Sequence, residues 1–149
     1  MIISFGCDHA GFEYREKIFE FLKQQGFKII DCGTFSVESC DYPDIASCVA
    51  KTVSSGESEK GILLCGTGIG VCITANKFSG ARAALAYSEE TARLASQHNN
   101  ANILCLGART TSLEDIIKYI KVWIETPFEG QRHQTRVDKI KKIDERNIR

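Results

Sequence analysis

Net charge is missing from this chain, and so are proline-rich stretches, paired cysteine motifs and long apolar runs. Nineteen basic and nineteen acidic side chains cancel, so no overall field recruits nucleic acid or an anionic membrane. The longest charge-free stretch, 61–76, is glycine-rich, and it falls short of the ~20 apolar residues that a spanning helix needs. Proline is confined to Pro43 and Pro127, and no repeat, low-complexity tract or linker occurs. A single domain over 1–149 follows, long enough to bury about two-thirds of its unfolded surface. The seven cysteines are odd in number and lack C-x-x-C or zinc-like pairing. With no signal peptide, such usage predicts a soluble, cytoplasmic protein with reduced thiols.

What is present is alternation. Apolar runs at 2–7, 27–32, 61–65, 82–86 and 102–106 predict strands. Between them, helical spacing covers 13–25, 43–54 with proline in its first turn, 71–77, a segment capped by Ser88 through Gln97, and one capped by Ser112 through Ile124. Strand–helix alternation predicts a three-layer, Rossmann-like α/β domain: a five-stranded parallel sheet with helices on both faces. The last segment, 130–149, repeats Val137, Ile140 and Ile143 among basic residues. It predicts an amphipathic C-terminal helix that packs on a neighbouring subunit or covers its own sheet.

Residues 60–76 carry the strongest chemical signal. Ile62 to Leu64 reads as a buried strand with Cys65 at its carboxyl end, followed by Gly66, Gly68 and Gly70 in a tight turn and then a helix. Glycines let backbone N–H groups converge on a ligand, and the helix adds unpaired N–H groups of its own. The spacing is G-x-G-x-G after a third strand, so it lacks the Rossmann fingerprint and the Walker A lysine. A cysteine phosphatase needs arginine six residues after its nucleophile, where this chain has Val71. What remains is a thiol beside an oxyanion site, able to serve as base or nucleophile. Cys7, Cys32, Cys40, Cys48, Cys72 and Cys105 read as packing residues or incidental thiols.

Open α/β sheets bind ligands beyond the carboxyl ends of their strands. Polar residues there include Asp8 and His9 after the first strand, Thr67 after the third and Arg109 after the fifth, and His98-Asn99-Asn100 lies in the loop before the fifth. Taken singly, Asp8 reads as a cap of the first helix and His98 as a cap of the fourth; together with Cys65 they read as a site. Arg132 and Arg136 fall four residues apart on one helix face, where a phosphate would relieve their repulsion. His133 points elsewhere on that helix and is left out.

These motifs resemble the type B ribose-5-phosphate isomerases, in the family that also holds galactose-6-phosphate and allose-6-phosphate isomerases. The matching stretches run from Cys7-Asp8-His9-Ala10-Gly11 through Asp41-Tyr42-Pro43-Asp44, the Cys65–Gly70 loop, Ala75-Asn76-Lys77 and His98 to Asn102, and end at Phe128 to Gln134. One branch of that family replaces the cysteine with a glutamate six residues later; here Val71 stands there and Cys65 is present, which matches the cysteine branch. The resemblance implies interconversion of ribose 5-phosphate and ribulose 5-phosphate through a cis-enediolate, without metal or other cofactor. It implies Cys65 as the base, its thiol made more acidic by the surrounding N–H groups. It further implies the amides of Gly66, Thr67, Gly68, Ile69 and Gly70 as enediolate holders, and His98 as ring-opener assisted by Asp8 and Thr67. His9, Arg109, Arg132 and Arg136 then grip phosphate, and Tyr42 and Asn99 contact sugar hydroxyls. The partner is a second copy of the chain sharing its active sites, with pairing into tetramers left open. A hexose 6-phosphate substrate is the near alternative, and a non-catalytic sugar-phosphate-binding module the distant one.

Overall fold

The computed structural model describes residues 1–147. Five strands form one sheet: β1 (Ile2–Cys7), β2 (Lys28–Asp31), β3 (Lys60–Cys65), β4 (Ala83–Leu85) and β5 (Ile103–Gly107). Every pairing is parallel, and the order across the sheet is β2-β1-β3-β5-β4. Between the strands run α1 (Phe12–Gln24), α2 (Tyr42–Ser54), α3 (Ile69–Ala75) and α4 (Glu89–Gln97), followed after β5 by α5 (Leu113–Glu125) and α6 (Arg132–Asn147). The three-layer α/β architecture is therefore as the alternation predicts.

Side chains alternate across the central strands, so one apolar run feeds two cores. Ile62 and Leu64 face Ile18 and Leu22 of α1, Ala92 of α4, and Ile116, Ile120 and Trp123 of α5. Leu63 and Cys65 face Ala46, Val49 and Ala50 of α2 and Val71 and Ala75 of α3. Each fully buried aliphatic side chain contributes about 1.5–3 kcal/mol, which is why the three inner strands are apolar almost throughout. Trp123 is wholly buried, and its indole N–H donates to the Ala101 carbonyl at 3.2 Å.

The helix caps follow their sequence signals. Ser88 Oγ accepts from Thr91 N at 3.1 Å while Thr91 Oγ1 accepts from Ser88 N at 3.0 Å, and Ser112 Oγ accepts from Asp115 N at 3.2 Å. Helix α3 begins two residues earlier than predicted, because the left-handed Gly68 (φ 79°) turns the chain directly into it. The outer strand β4 is extended by a side chain: Asn76 Nδ2 donates to the Ala83 carbonyl and Asn76 Oδ1 accepts from Ala83 N, both at 2.9 Å.

Two expectations need correction. Cys32 and Cys48 are bonded to each other rather than being incidental thiols. The loop after β2 folds back onto the middle of α2 and brings their Cα atoms to 5.9 Å, within disulfide range. Nor does α6 cover the sheet: Val137 is buried, but Ile140 and Ile143 are 41% and 56% exposed. On α6 Val137 and His133 are buried, and the Asp144 carboxylate accepts from Gly80 N at 3.1 Å. A cavity of about 440 Å³ lies between α6 and Gly80, Arg82 and Asn100.

Candidate active site

At the carboxyl end of the sheet, β1 and β3 diverge into α1 and α3 and leave the crevice expected at a switch point. Cys65, the last residue of β3, is 4% exposed, and its Sγ accepts from Gly68 N at 3.1 Å. Only glycine fits at 68: besides its positive φ, a Cβ there would stand 2.9 Å from the Leu106 carbonyl carbon. Thr67 is exposed, and its Oγ1 accepts from Ile69 N at 3.3 Å. The amides of Gly68 and Ile69 thus donate within the loop.

Asp8 follows β1 and is almost fully buried; its Oδ1 accepts from Ala10 N at 2.9 Å and Gly11 N at 3.3 Å, shaping the entry to α1. His9 Nδ1 accepts from Cys40 N at 3.2 Å. Tyr42 opens α2 and lays its ring over Gly70, where a Cβ would meet the ring at 2.5 Å. Arg109 N donates to the Gly66 carbonyl at 3.0 Å, and its exposed side chain passes over Gly66. Asp8, His9, Tyr42, Cys65, the glycine loop and Arg109 therefore gather at the carboxyl end of the sheet. Burial pushes the neighbouring Cys7 thiol up to about 12 and raises Cys105 as well, so both stay protonated as packing groups.

The remaining predicted residues gather elsewhere. His98 caps the carboxyl end of α4, its N–H donating to the Leu94 carbonyl at 2.9 Å. Its ring stacks on His133 of α6, with centroids 4.1 Å apart and planes 11° from parallel. Glu129 Oε2 lies 3.8 Å from His98 Nε2 and 3.6 Å from His133 Nε2. Burial, first, and then the charges of His98, Arg132 and Arg136 disfavour protonated His133 and hold its pKa below the usual histidine value, against the opposing pull of Glu129. Arg132 adjoins His133 in the chain and Arg136 follows three residues on, both exposed and on one helix as predicted. Asn99, also exposed, lines a second cavity of about 330 Å³ with Asn76 and Arg82.

These two groups do not meet within one chain. Cys65 is in register with Gly107, the last residue of β5, whereas His98 precedes Ile103, the first. Four residues of strand, about 13 Å, separate the two ends. The loop before a strand lies at its amino end, so His98, Asn99, Arg132 and Arg136 face away from the carboxyl-end crevice. Within one chain, then, His98 and Cys65 stand at opposite ends of the sheet. Glu129 and His133 are absent from the predicted set; their i,i+4 spacing was the available signal. With His98 they form a set of donors within 4.8 Å of one another that could take a cation, found among the described residues.

A doubly wound sheet with a buried thiol and a glycine turn at its switch point defines an α/β enzyme acting on a small, anionic molecule. The model of the Ribose/Galactose Isomerase family matches residues 3–140, and the chain belongs to that family. It is 45% identical over 144 residues to ribose-5-phosphate isomerase B of Escherichia coli, covering 97% of each chain. The ribose-5-phosphate isomerase B structure from Clostridium thermocellum superposes with a TM-score of 0.95 at 44% identity, over 98% of this chain and 99% of that one. The Mycoplasma genitalium ribose-5-phosphate isomerase B, solved with bound ribulose-5-phosphate, gives 0.94 at 43% identity over 97% and 96%.

Proposed function

We propose that the chain interconverts ribose 5-phosphate and ribulose 5-phosphate. The observation that carries this reading is Cys65: a buried thiol whose sulfur receives the Gly68 N–H, at the carboxyl end of the central strand β3 beside the glycine turn. Binding alone has no use for such a group. Moving a proton between adjacent carbons needs a base at C2, donors for the developing enediolate oxygen, a ring-opener and a phosphate grip. In the proposed mechanism His98, with Asp8 and Thr67, opens the furanose. The Cys65 thiolate takes the C2 proton of the open aldose to give the cis-enediolate; the hydroxyl proton passes from O2 to O1, and the thiol returns its proton to C1 to give the ketose. The loop amides not engaged internally receive the enediolate oxygen, Tyr42 and Asn99 receive hydroxyls, and His9, Arg109, Arg132 and Arg136 receive the phosphate.

Because Cys65 and His98 stand at opposite ends of one sheet, the reading requires two copies. One chain supplies the Cys65 crevice and its partner supplies His98, Asn99, Arg132 and Arg136. The exposed Ile140 and Ile143 on α6 supply apolar surface for that contact.

Incubation with ribose 5-phosphate in deuterated water tests the chemistry. Deuterium enters the exchangeable carbon if the chain is an isomerase; tight binding with no exchange leaves only a binding module. Comparing kcat/KM on ribose 5-phosphate and allose 6-phosphate tests the substrate, and faster turnover of the hexose would reverse the assignment.

A further inference from the structure

We propose that Glu129 and His133 are positioning residues for His98, holding its imidazole in the orientation that ring opening requires. The proposal rests on the reading of His98 as the ring-opening group. His133 is 6% exposed and presents a flat face parallel to the His98 ring, whereas the His98 side chain is 34% exposed. A fixed ring under a freer one removes most of the torsional choices the freer one would have. Glu129 faces both Nε2 atoms at ion-pair distance, slightly too long for hydrogen bonds. It is tied to the residue just before His98: Glu129 N donates to the Gln97 carbonyl at 3.0 Å, and the Gln97 side chain donates to Glu129 Oε2 at 3.4 Å. Any shift of the α4 end therefore carries carboxylate and imidazole together.

Burial, first, and then the neighbouring positive charges disfavour a proton on His133, so it competes less as a cation beside His98. Its Nε2 has no hydrogen-bond partner among the described residues, an uncompensated burial in the absence of a closer approach by Glu129. The three donor atoms would also suit a cation by distance. Stacked rings, however, point their in-plane lone pairs side by side and not toward a common centre. The arrangement suits support of a ring better than capture of an ion.

The test measures kcat and KM on ribose 5-phosphate and deuterium exchange into ribulose 5-phosphate, which is already open. Glu129→Gln is expected to lower kcat on the cyclic sugar on the order of 10-fold, with KM and exchange into the ketose unchanged. Added to His98→Asn, it should cost nothing more, because both substitutions remove one function. His133→Phe, which keeps a flat ring, should retain most of the turnover that His133→Ala loses. A Glu129→Gln enzyme that loses both activities equally, loses neither, or deepens the defect of His98→Asn overturns the positioning role. A His98→Asn enzyme with full turnover of ribose 5-phosphate instead overturns the assignment of His98, whatever Glu129→Gln does.

Discussion

At the carboxyl ends of the strands the working groups are held by backbone, and at the opposite end side chain holds side chain. The Cys65 sulfur is fixed by the Gly68 amide, and Gly68 itself is wedged against Leu106. His98 has no such frame; a stacked ring from α6 and a carboxylate from the segment just before it keep it in place. The first arrangement suits a group that must meet one carbon atom, since strand ends are rigid. The second suits a group that arrives with a helix and can settle onto a neighbour.

The largest effect should come from removing the backbone-held group. Cys65→Ala is expected to lower isomerisation by about 10⁴-fold, the upper range for a general base, with little change in substrate affinity measured by calorimetry. His98→Asn should lower turnover of ribose 5-phosphate by roughly 10²-fold while proton exchange into ribulose 5-phosphate survives. Equal loss of both reactions would erase the division of labour between the two ends. Mixing the two inactive variants sharpens the comparison further. If each site draws one end from each of two copies, random pairing makes half the dimers mixed, each with one intact site, and about a quarter of wild-type activity returns. No recovery after subunit exchange would mean that both ends serve one chain.

The smallest effect concerns pH. His133 resists a proton when folded, because burial and then the neighbouring positive charges disfavour its charged form, whereas the unfolded chain accepts one near the ordinary value of about 6.5. The unfolded state thus binds more protons below that value, and stability falls as pH drops through it. Melting temperature should decline between pH 7.5 and 5.5, about where this histidine titrates, and by less in His133→Phe. The same decline in both proteins would clear His133 of the effect.

Much of this was legible without coordinates. Ser88, Ser112 and Pro43 marked helix starts correctly, and the apolar run before Cys65 marked the end of a central strand. Helix–strand alternation reports the layers because burial on both faces leaves few polar residues inside. The order of strands is another matter, since nothing local says that β5 inserts between β3 and β4. The separation of His98 from Cys65 was harder to read: a loop before a strand and a loop after it look alike in composition but lie a strand's length apart. His133 was passed over because its direction was judged against its neighbouring arginines, not against what packs beneath it. The Cys32–Cys48 bond depends on a loop closure that sixteen residues of separation do not announce.

The Asn76 side chain that completes the outer strand also exposes the fold to chemical ageing. Its amide nitrogen donates to the carbonyls of Ala83 and Cys72 at 2.9 and 3.1 Å. Spontaneous deamidation would turn that nitrogen into a carboxylate oxygen, an acceptor set against two acceptors. The three-residue edge strand would lose its side-chain clasp and gain a repelling charge. One hydrolysed amide would thus loosen the β4 edge and leave it held by its backbone pairing with β5.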